Sequence, residues 1–179
     1  MRPNEYQNLA KGTALPGAWS LSYLIPGIAG ETGELVEKIE EGDKDLVAHE
    51  LADHYWFIAM ICEVMDWSIE GLLGQSPASY QKEAEDFAET HSVDKLKDQL
   101  VIHVGNMNSA FAKSVRDNGG NLNEKRLRQI CLSSADVMLY VGAIGWRYGF
   151  TVEELMKKNI DKLYDGKDRG VLGGDGDKR

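Results

Sequence analysis

Glu31-Thr-Gly-Glu34 and Glu50-Leu-Ala-Asp53 are two acidic pairs with 15 residues between Glu34 and Glu50. Residues three apart in a helix lie on one face. Each pair therefore aims two carboxylates the same way, and two such helices packed together would converge four. Like charges that close push at least one pKa upward unless a cation neutralises them. Hard oxygen donors of this kind suit Mg²⁺ or Mn²⁺, so Glu31, Glu34, Glu50 and Asp53 read as a divalent-metal site.

The elements that carry these pairs are helical. No long segment alternates apolar and polar residues with the period of two of a strand; apolar positions recur at three and four instead. Leu35 and Ile39 mark a helix from Ile28, which Gly42-Asp43 ends in a turn suited to start the next. From Glu50, the positions Leu51, Tyr55, Ile58, Ile61 and Val64 mark that next helix, closed by Trp67-Ser68. Ser68 with Glu70 and Gly71 resembles a fresh helix start. Pro77 breaks the chain after it, and 81–89 is polar enough for a solvated helix or linker. The expected fold class is all-α.

The chain also repeats itself. Positions 53–70 align without a gap onto 136–153, an offset of 83, pairing Ala52-Asp53 with Ala135-Asp136 and Ser68-Ile69-Glu70 with Thr151-Val152-Glu153. The upstream helix repeats at an offset of 75, where Gly30 meets Gly105, Glu31 meets Asn106, Glu34 meets Ser109 and Lys38 meets Lys113. The difference puts eight extra residues in the second interhelical loop, around Asn118-Gly119-Gly120-Asn121, as expected of insertions. Three of the four acids become Asn106, Ser109 and Ser133 in the second copy, which keeps only Asp136. The second copy instead carries Asn159-Ile-Asp-Lys162-Leu163.

Composition bounds the function. A chain of 179 residues most simply makes one domain with a real core. A formal net charge of −9 argues against a polyanion-binding surface, because nucleic-acid binding relies on Lys and Arg. No nucleic-acid partner is expected. No apolar run approaches the roughly 20 residues of a membrane span, and the N-terminal residues open onto no signal segment, so a cytoplasmic protein without a membrane partner is expected. Cys62 and Cys131 share no metal-type spacing and read as buried free thiols.

Two other motifs fail on spacing. His49-Glu50 begins like the HExxH of zinc proteases, but position 53 is Asp, and His49 and His54 are five apart and diverge around a helix. No GxxxxGK[ST] phosphate loop occurs anywhere. Gly27, Gly30 and Gly33 read instead as places where helices approach closely.

These residues resemble the MazG-like, all-α nucleoside triphosphate pyrophosphohydrolases, whose signature is an ExxE and an ExxD pair. Gly30-Glu31-Thr32-Gly33-Glu34 with Lys38, and Glu50-Leu-Ala-Asp53 with Trp56, are similar to the two motif helices of a phage and bacterial branch. Val152-Glu153-Glu154-Leu155, Asn159, Lys162-Leu163, Arg169-Gly170 and the run 174–179 resemble that branch's C-terminal tail. The middle is foreign, from about Pro77 to Arg128. Gly166 stands where the branch usually has arginine, with Arg169 or Lys167 as substitutes.

The resemblance implies a four-helix-bundle-type fold arranged as a tandem pseudo-dimer. Its parts would be a first module over 1–76 with intact acidic motifs, a degenerate second module over 77–165, and a Gly/Asp-rich tail over 166–179. It implies a nucleoside triphosphate substrate, cleaved to the monophosphate and diphosphate with Mg²⁺, or Mn²⁺, held by Glu31, Glu34, Glu50 and Asp53. Lys38, which is also placed to pair with Glu34 or Glu41, would contact phosphate; Asn159, Lys162 and Arg169 would hold phosphates and sugar. Trp19, Tyr6 and Tyr23 could stack on a base. The base stays open among dGTP or GTP and dUTP or dCTP. A homo-oligomer is expected, a dimer of pseudo-dimers among the choices. The alternative is a catalytically silent helical nucleotide-binding or scaffold protein derived from this family.

Overall fold

The computed structural model describes residues 1–172; positions 174–179 of the expected tail lie outside the described residues. Among the described residues eight α-helices succeed one another, α1 (Pro3–Lys11), α2 (Leu21–Glu41), α3 (Lys44–Val64), α4 (Ile69–Leu73), α5 (Pro77–Thr90), α6 (Val93–Asn118), α7 (Glu124–Arg147) and α8 (Val152–Asp168), with a 3-10 turn at Pro16–Ala18. No strand occurs among the described residues. The chain is all-α.

Two helices start earlier than apolar spacing suggests. α2 begins at Leu21 and carries Pro26 within it. Proline removes one N–H and frees the carbonyl four residues back; here Ser22 and Pro26 are both exposed, so water can serve that carbonyl. α3 begins at Lys44, because Asp43 caps it by accepting from the N–H groups of Asp45 at 3.0 Å and Leu46 at 3.1 Å. Gly42, in the left-handed region at φ 76°, ends α2. The two-residue link makes α2 and α3 an antiparallel hairpin.

α5 is an ordered helix rather than a linker. Pro77 sits at its first position, where a missing N–H costs nothing, and Tyr80, Ala84 and Ala88 are buried. α7 is long and apolar enough to cross a membrane by length and composition, contrary to the expectation that no such run exists. Its apolar face instead packs against α5 and α6. Cys62 is buried and Cys131 half-buried, both free thiols.

The halves correspond element by element. Met65 and Tyr148 end α3 and α7; Asp66 at φ 56° and Gly149 at φ 84° come next. Ser68 and Thr151 cap α4 and α8 through the N–H of Gly71 and Glu154. Each of these pairs is 83 residues apart. α1 and α5 share Pro-x-x-Tyr-Gln, at Pro3, Tyr6, Gln7 and at Pro77, Tyr80, Gln81. The glutamines do the same job, Gln7 Oε1 accepting from Ile69 N at 2.8 Å and Gln81 Oε1 from Val152 N at 2.9 Å. The eight extra residues of the second half do not all lie in the loop. Three lengthen the link between α6 and α7, while two extend the end of α6 and three the start of α7.

One core joins both halves. Leu24, Ile25, Ile28 and Leu35 of α2 and Leu51, Tyr55 and Ile58 of α3 are buried with Met107, Val137, Val141 and Leu155 from later helices. α2 packs on α6, α3 on α7, and α8 crosses from the second half onto α3. α4 makes the corresponding approach to α7, but it stops after five residues whereas α8 runs for 17. The boundary expected at 165/166 falls inside α8, where Gly166 is buried.

Candidate active site

The α2–α3 hairpin brings carboxylate oxygens of Glu31, Glu50 and Asp53 within 4.8 Å of one another. Glu50 is only 4% exposed. Burial pushes the Glu31 carboxyl up to about 8, and the charges of Asp53, Glu34 and Glu50 push the same way. Glu31 therefore holds its proton at neutral pH without an added cation. Hard oxygen donors, crowded and desolvated, fit a divalent ion such as Mg²⁺ or Mn²⁺, and Glu31, Glu50 and Asp53 could hold one. Glu34 is exposed and stands outside this group, although its charge is felt at Glu31.

α8 closes the cluster from the other half. Asn159 Nδ2 donates to Asp53 Oδ1 at 2.8 Å, and Lys162 Nζ to Asp53 Oδ2 at 2.6 Å. Asn159 is 1% exposed and Lys162 lies one helical turn further on. The charge of Lys162 partly offsets the upward push on Glu31. Tyr6, on α1, donates its hydroxyl to Asn159 Oδ1 at 2.8 Å. This fixes the amide with its oxygen toward Tyr6 and its N–H toward Asp53. Tyr6 is fully buried, so it cannot stack on a base; it positions Asn159 instead.

A second buried contact locks the two motif helices together. Thr32 Oγ1 lies 2.9 Å from His54 Nε2, and His54 Nδ1 lies 2.7 Å from the Glu50 carbonyl oxygen. Burial lowers the His54 pKa to about 4, so the ring is neutral at pH 7. With its proton on Nδ1 the ring donates to the Glu50 carbonyl and turns a bare Nε2 to the Thr32 hydroxyl, whose single proton lies between Nε2 and the Ile28 carbonyl at 2.7 Å. Thr32 and His54 each come one residue after an acid of the cluster, so this pair sets the register of Glu31 against Asp53. Sequence spacing shows His54 only as a failed zinc-protease histidine.

The other expected residues fall around the cluster. Lys38 pairs with Glu41 at 3.3 Å. Arg169 pairs with Asp165 at 2.8 Å on the surface, and Lys167 donates to the Gly12 carbonyl at 2.9 Å; these partners, not the carboxylate cluster, take the two candidate substitutes for the missing arginine. Trp19 and Tyr23 are about half exposed, and Tyr23 stacks on Phe57 with centroids 6.0 Å apart. Trp56 donates to Thr13 Oγ1 at 3.0 Å and meets Phe57 edge-on. These rings lie toward the start of α2 and the later part of α3.

On the opposite side of Asp53 is a pocket of about 460 Å³ lined by His49, Phe150, Glu154, Lys157, Lys158, Asp161 and Lys162. Burial, and then the charges of Lys158 and Lys162, hold the His49 pKa below its usual value. At the place in the second half that matches the cluster, Asp136 pairs with His103 at 3.0 Å.

Residues 20–76 match the MazG nucleotide pyrophosphohydrolase domain. A stretch of 80 residues is 30% identical to the Gene 37 protein of Mycobacterium phage L5, covering 45% of this chain and 70% of that protein. No solved structure matches the chain. The matched span holds both motif helices and the three clustered carboxylates, and the chain therefore belongs to the MazG nucleotide pyrophosphohydrolase family.

Proposed function

We propose that the chain hydrolyses a nucleoside triphosphate to the nucleoside monophosphate and pyrophosphate in the control of nucleotide pools. The observation that carries this reading is the meeting of Glu31, Glu50 and Asp53 with Asn159 and Lys162 at one point. When bound, Mg²⁺ or Mn²⁺ at Glu31, Glu50 and Asp53, with Glu34 beside them, would neutralise phosphate charge and acidify a coordinated water. Water attacks the α-phosphorus, and the bond from that phosphorus to the bridging oxygen breaks with its electron pair leaving on pyrophosphate. One glutamate of the first pair would orient the water and take its proton. Lys162 would leave Asp53 for a phosphate oxygen, exchanging one anionic partner for another. Asn159, held by Tyr6, would donate to phosphate or sugar. Trp19 and Tyr23 offer rings for the base.

The correspondence of α1–α4 with α5–α8 supports a tandem duplication folded as a pseudo-dimer with one composite site. The first half supplies acids, and the second supplies Asn159 and Lys162 on α8. A homo-oligomer of such units is part of the proposal. A panel of canonical and modified ribo- and deoxyribonucleoside triphosphates with Mg²⁺ or Mn²⁺, scored for pyrophosphate against orthophosphate, tests the reaction and identifies the base. Absence of pyrophosphate release from every member of the panel would leave the chain as a silent relative.

A further inference from the structure

The carboxylate cluster has two unlike flanks along α3. Trp56 and Phe57 lie three and four residues beyond Asp53, and His49 lies four before it, so at 1.5 Å per residue each flank is about 6 Å from the centre. The Trp56 flank continues into Tyr23 of α2. The His49 flank opens into the pocket between the first turns of α3 and the first half of α8. Its wall carries three lysines against two carboxylates, Glu154 and Asp161, a local positive excess in a chain whose net charge is −9. Lys157 is tied to Asp161 at 2.6 Å and Lys162 to Asp53 at 2.6 Å. Lys158, half-buried, makes no ion pair among the described residues. It stands four residues before Lys162, on the same face of α8. Phe150, which also lines the pocket, has the Lys44 ammonium 5.0 Å from its ring centre.

An ammonium with no ion-pair partner among the described residues, in a recess next to a carboxylate cluster that could hold a cation, fits an anion that spans both. This rests on the reading of the chain as a triphosphate hydrolase, and it fixes which way the substrate lies. We propose that the pocket lined by His49, Lys158 and Lys162 receives the β- and γ-phosphates, so that the leaving pyrophosphate occupies it while the base points toward Trp19 and Tyr23. Lys158 is the residue that recognises the terminal phosphates. The dimensions agree, because a 460 Å³ recess holds two phosphoryl groups and their water. Reversing the substrate would set the base against three lysines and leave the terminal phosphates over aromatic rings.

The test is calorimetric binding of inorganic pyrophosphate in the presence of Mg²⁺, a readout that needs no turnover. The full chain is compared with Lys158→Ala, Lys158→Arg and, as control, Lys125→Ala on the exposed start of α7. Helicity by circular dichroism verifies that each variant folds. Lys158→Ala is expected to weaken pyrophosphate binding about tenfold, Lys158→Arg to restore most of it, and Lys125→Ala to leave it unchanged. Binding of the nucleoside monophosphate should stay within twofold in all variants. Unchanged pyrophosphate binding in a folded Lys158→Ala protein overturns the assignment, as does an equal loss for the monophosphate. Absence of pyrophosphate binding by the unmodified chain overturns it too. If pyrophosphate binds as expected while no nucleotide is hydrolysed, the pocket assignment stands and the proposed reaction falls.

Discussion

Asp53 and Asn159 are 106 residues apart in sequence and joined by a 2.8 Å hydrogen bond from the Asn159 amide to the Asp53 carboxylate. Asp53 belongs to the half that carries the acidic motifs, Asn159 to the half with Asn106, Ser109 and Ser133 at three of the matching positions. This bond and the parallel one from Lys162 tie α8 to the acidic pair of α3.

Removing a carboxylate should be severe. Asp53→Asn or Glu34→Gln is expected to lower kcat/KM by about two orders of magnitude or more, the scale of losing a major electrostatic contributor. Steady-state pyrophosphate release measures it, with the ratio of kcat/KM read as lost transition-state binding. A loss of less than tenfold in both would contradict the assignment of the acids.

Two charged residues of the second half should behave differently. Lys162→Ala should weaken substrate binding or turnover, because it removes the cation that bridges α8 to Asp53. Asp136→Asn removes the charge that faces His103 and should leave turnover within about twofold while lowering stability at most modestly. Steady-state kinetics on both variants checks this, and the reverse pattern would mean that the second half carries chemistry of its own.

The apo protein should be less stable as pH rises. Glu31 has a folded-state pKa raised to about 8, above its unfolded value near 4.5. The folded state then holds the extra proton, so this contribution is fully present below about pH 4.5 and is lost as pH rises through about 8. Thermal melts in EDTA from pH 5 to 8 should show a falling Tm, and Glu31→Gln should flatten the slope. Mg²⁺ should counter the fall at pH 8; at about 100 times its dissociation constant, a ligand of the folded state adds roughly 2.7 kcal/mol. A Tm indifferent to Mg²⁺ at pH 8 would count against the site.

The helices of the site meet closely at Gly27. A methyl group there would lie 2.8 Å from Phe57 Cζ, inside any real contact distance. Gly27→Ala should destabilise the fold by about 1–2 kcal/mol, overpacking outweighing the gain in helix propensity. Chemical denaturation checks it, and Gly30→Ala, which meets nothing within 4 Å, is the contrast expected to be neutral or stabilising.

The site was legible where chemistry has a helical period. Glu50 with Asp53, and Asn159 with Lys162, share a face as their helical spacing implies, whereas Glu34, at the same spacing from Glu31, is exposed and stands outside the clustered carboxylates. What escaped depends on packing across elements. Tyr6 reads as a ring that could stack on a base until α1 is laid against α3 and α8, which buries it against Asn159. The α1–α5 correspondence rests on a handful of positions in short helices, too few to stand above chance until Gln7 and Gln81 are seen holding equivalent backbone amides. The start of α2 was hidden by Pro26, and that of α3 by the charged first turn, Lys44-Asp45. Lys158 carried a readable signal, four residues before Lys162, but only the cavity gives it a role.

The most direct test of the central claim is hydrolysis of the preferred nucleoside triphosphate in ¹⁸O-labelled water with Mg²⁺, with products resolved by mass spectrometry. The account predicts equal amounts of nucleoside monophosphate and pyrophosphate, with the label on the monophosphate, and loss of both products in Asp53→Asn. Orthophosphate as the sole product, or label on the pyrophosphate, would contradict attack at the α-phosphorus and with it the assignment of the site.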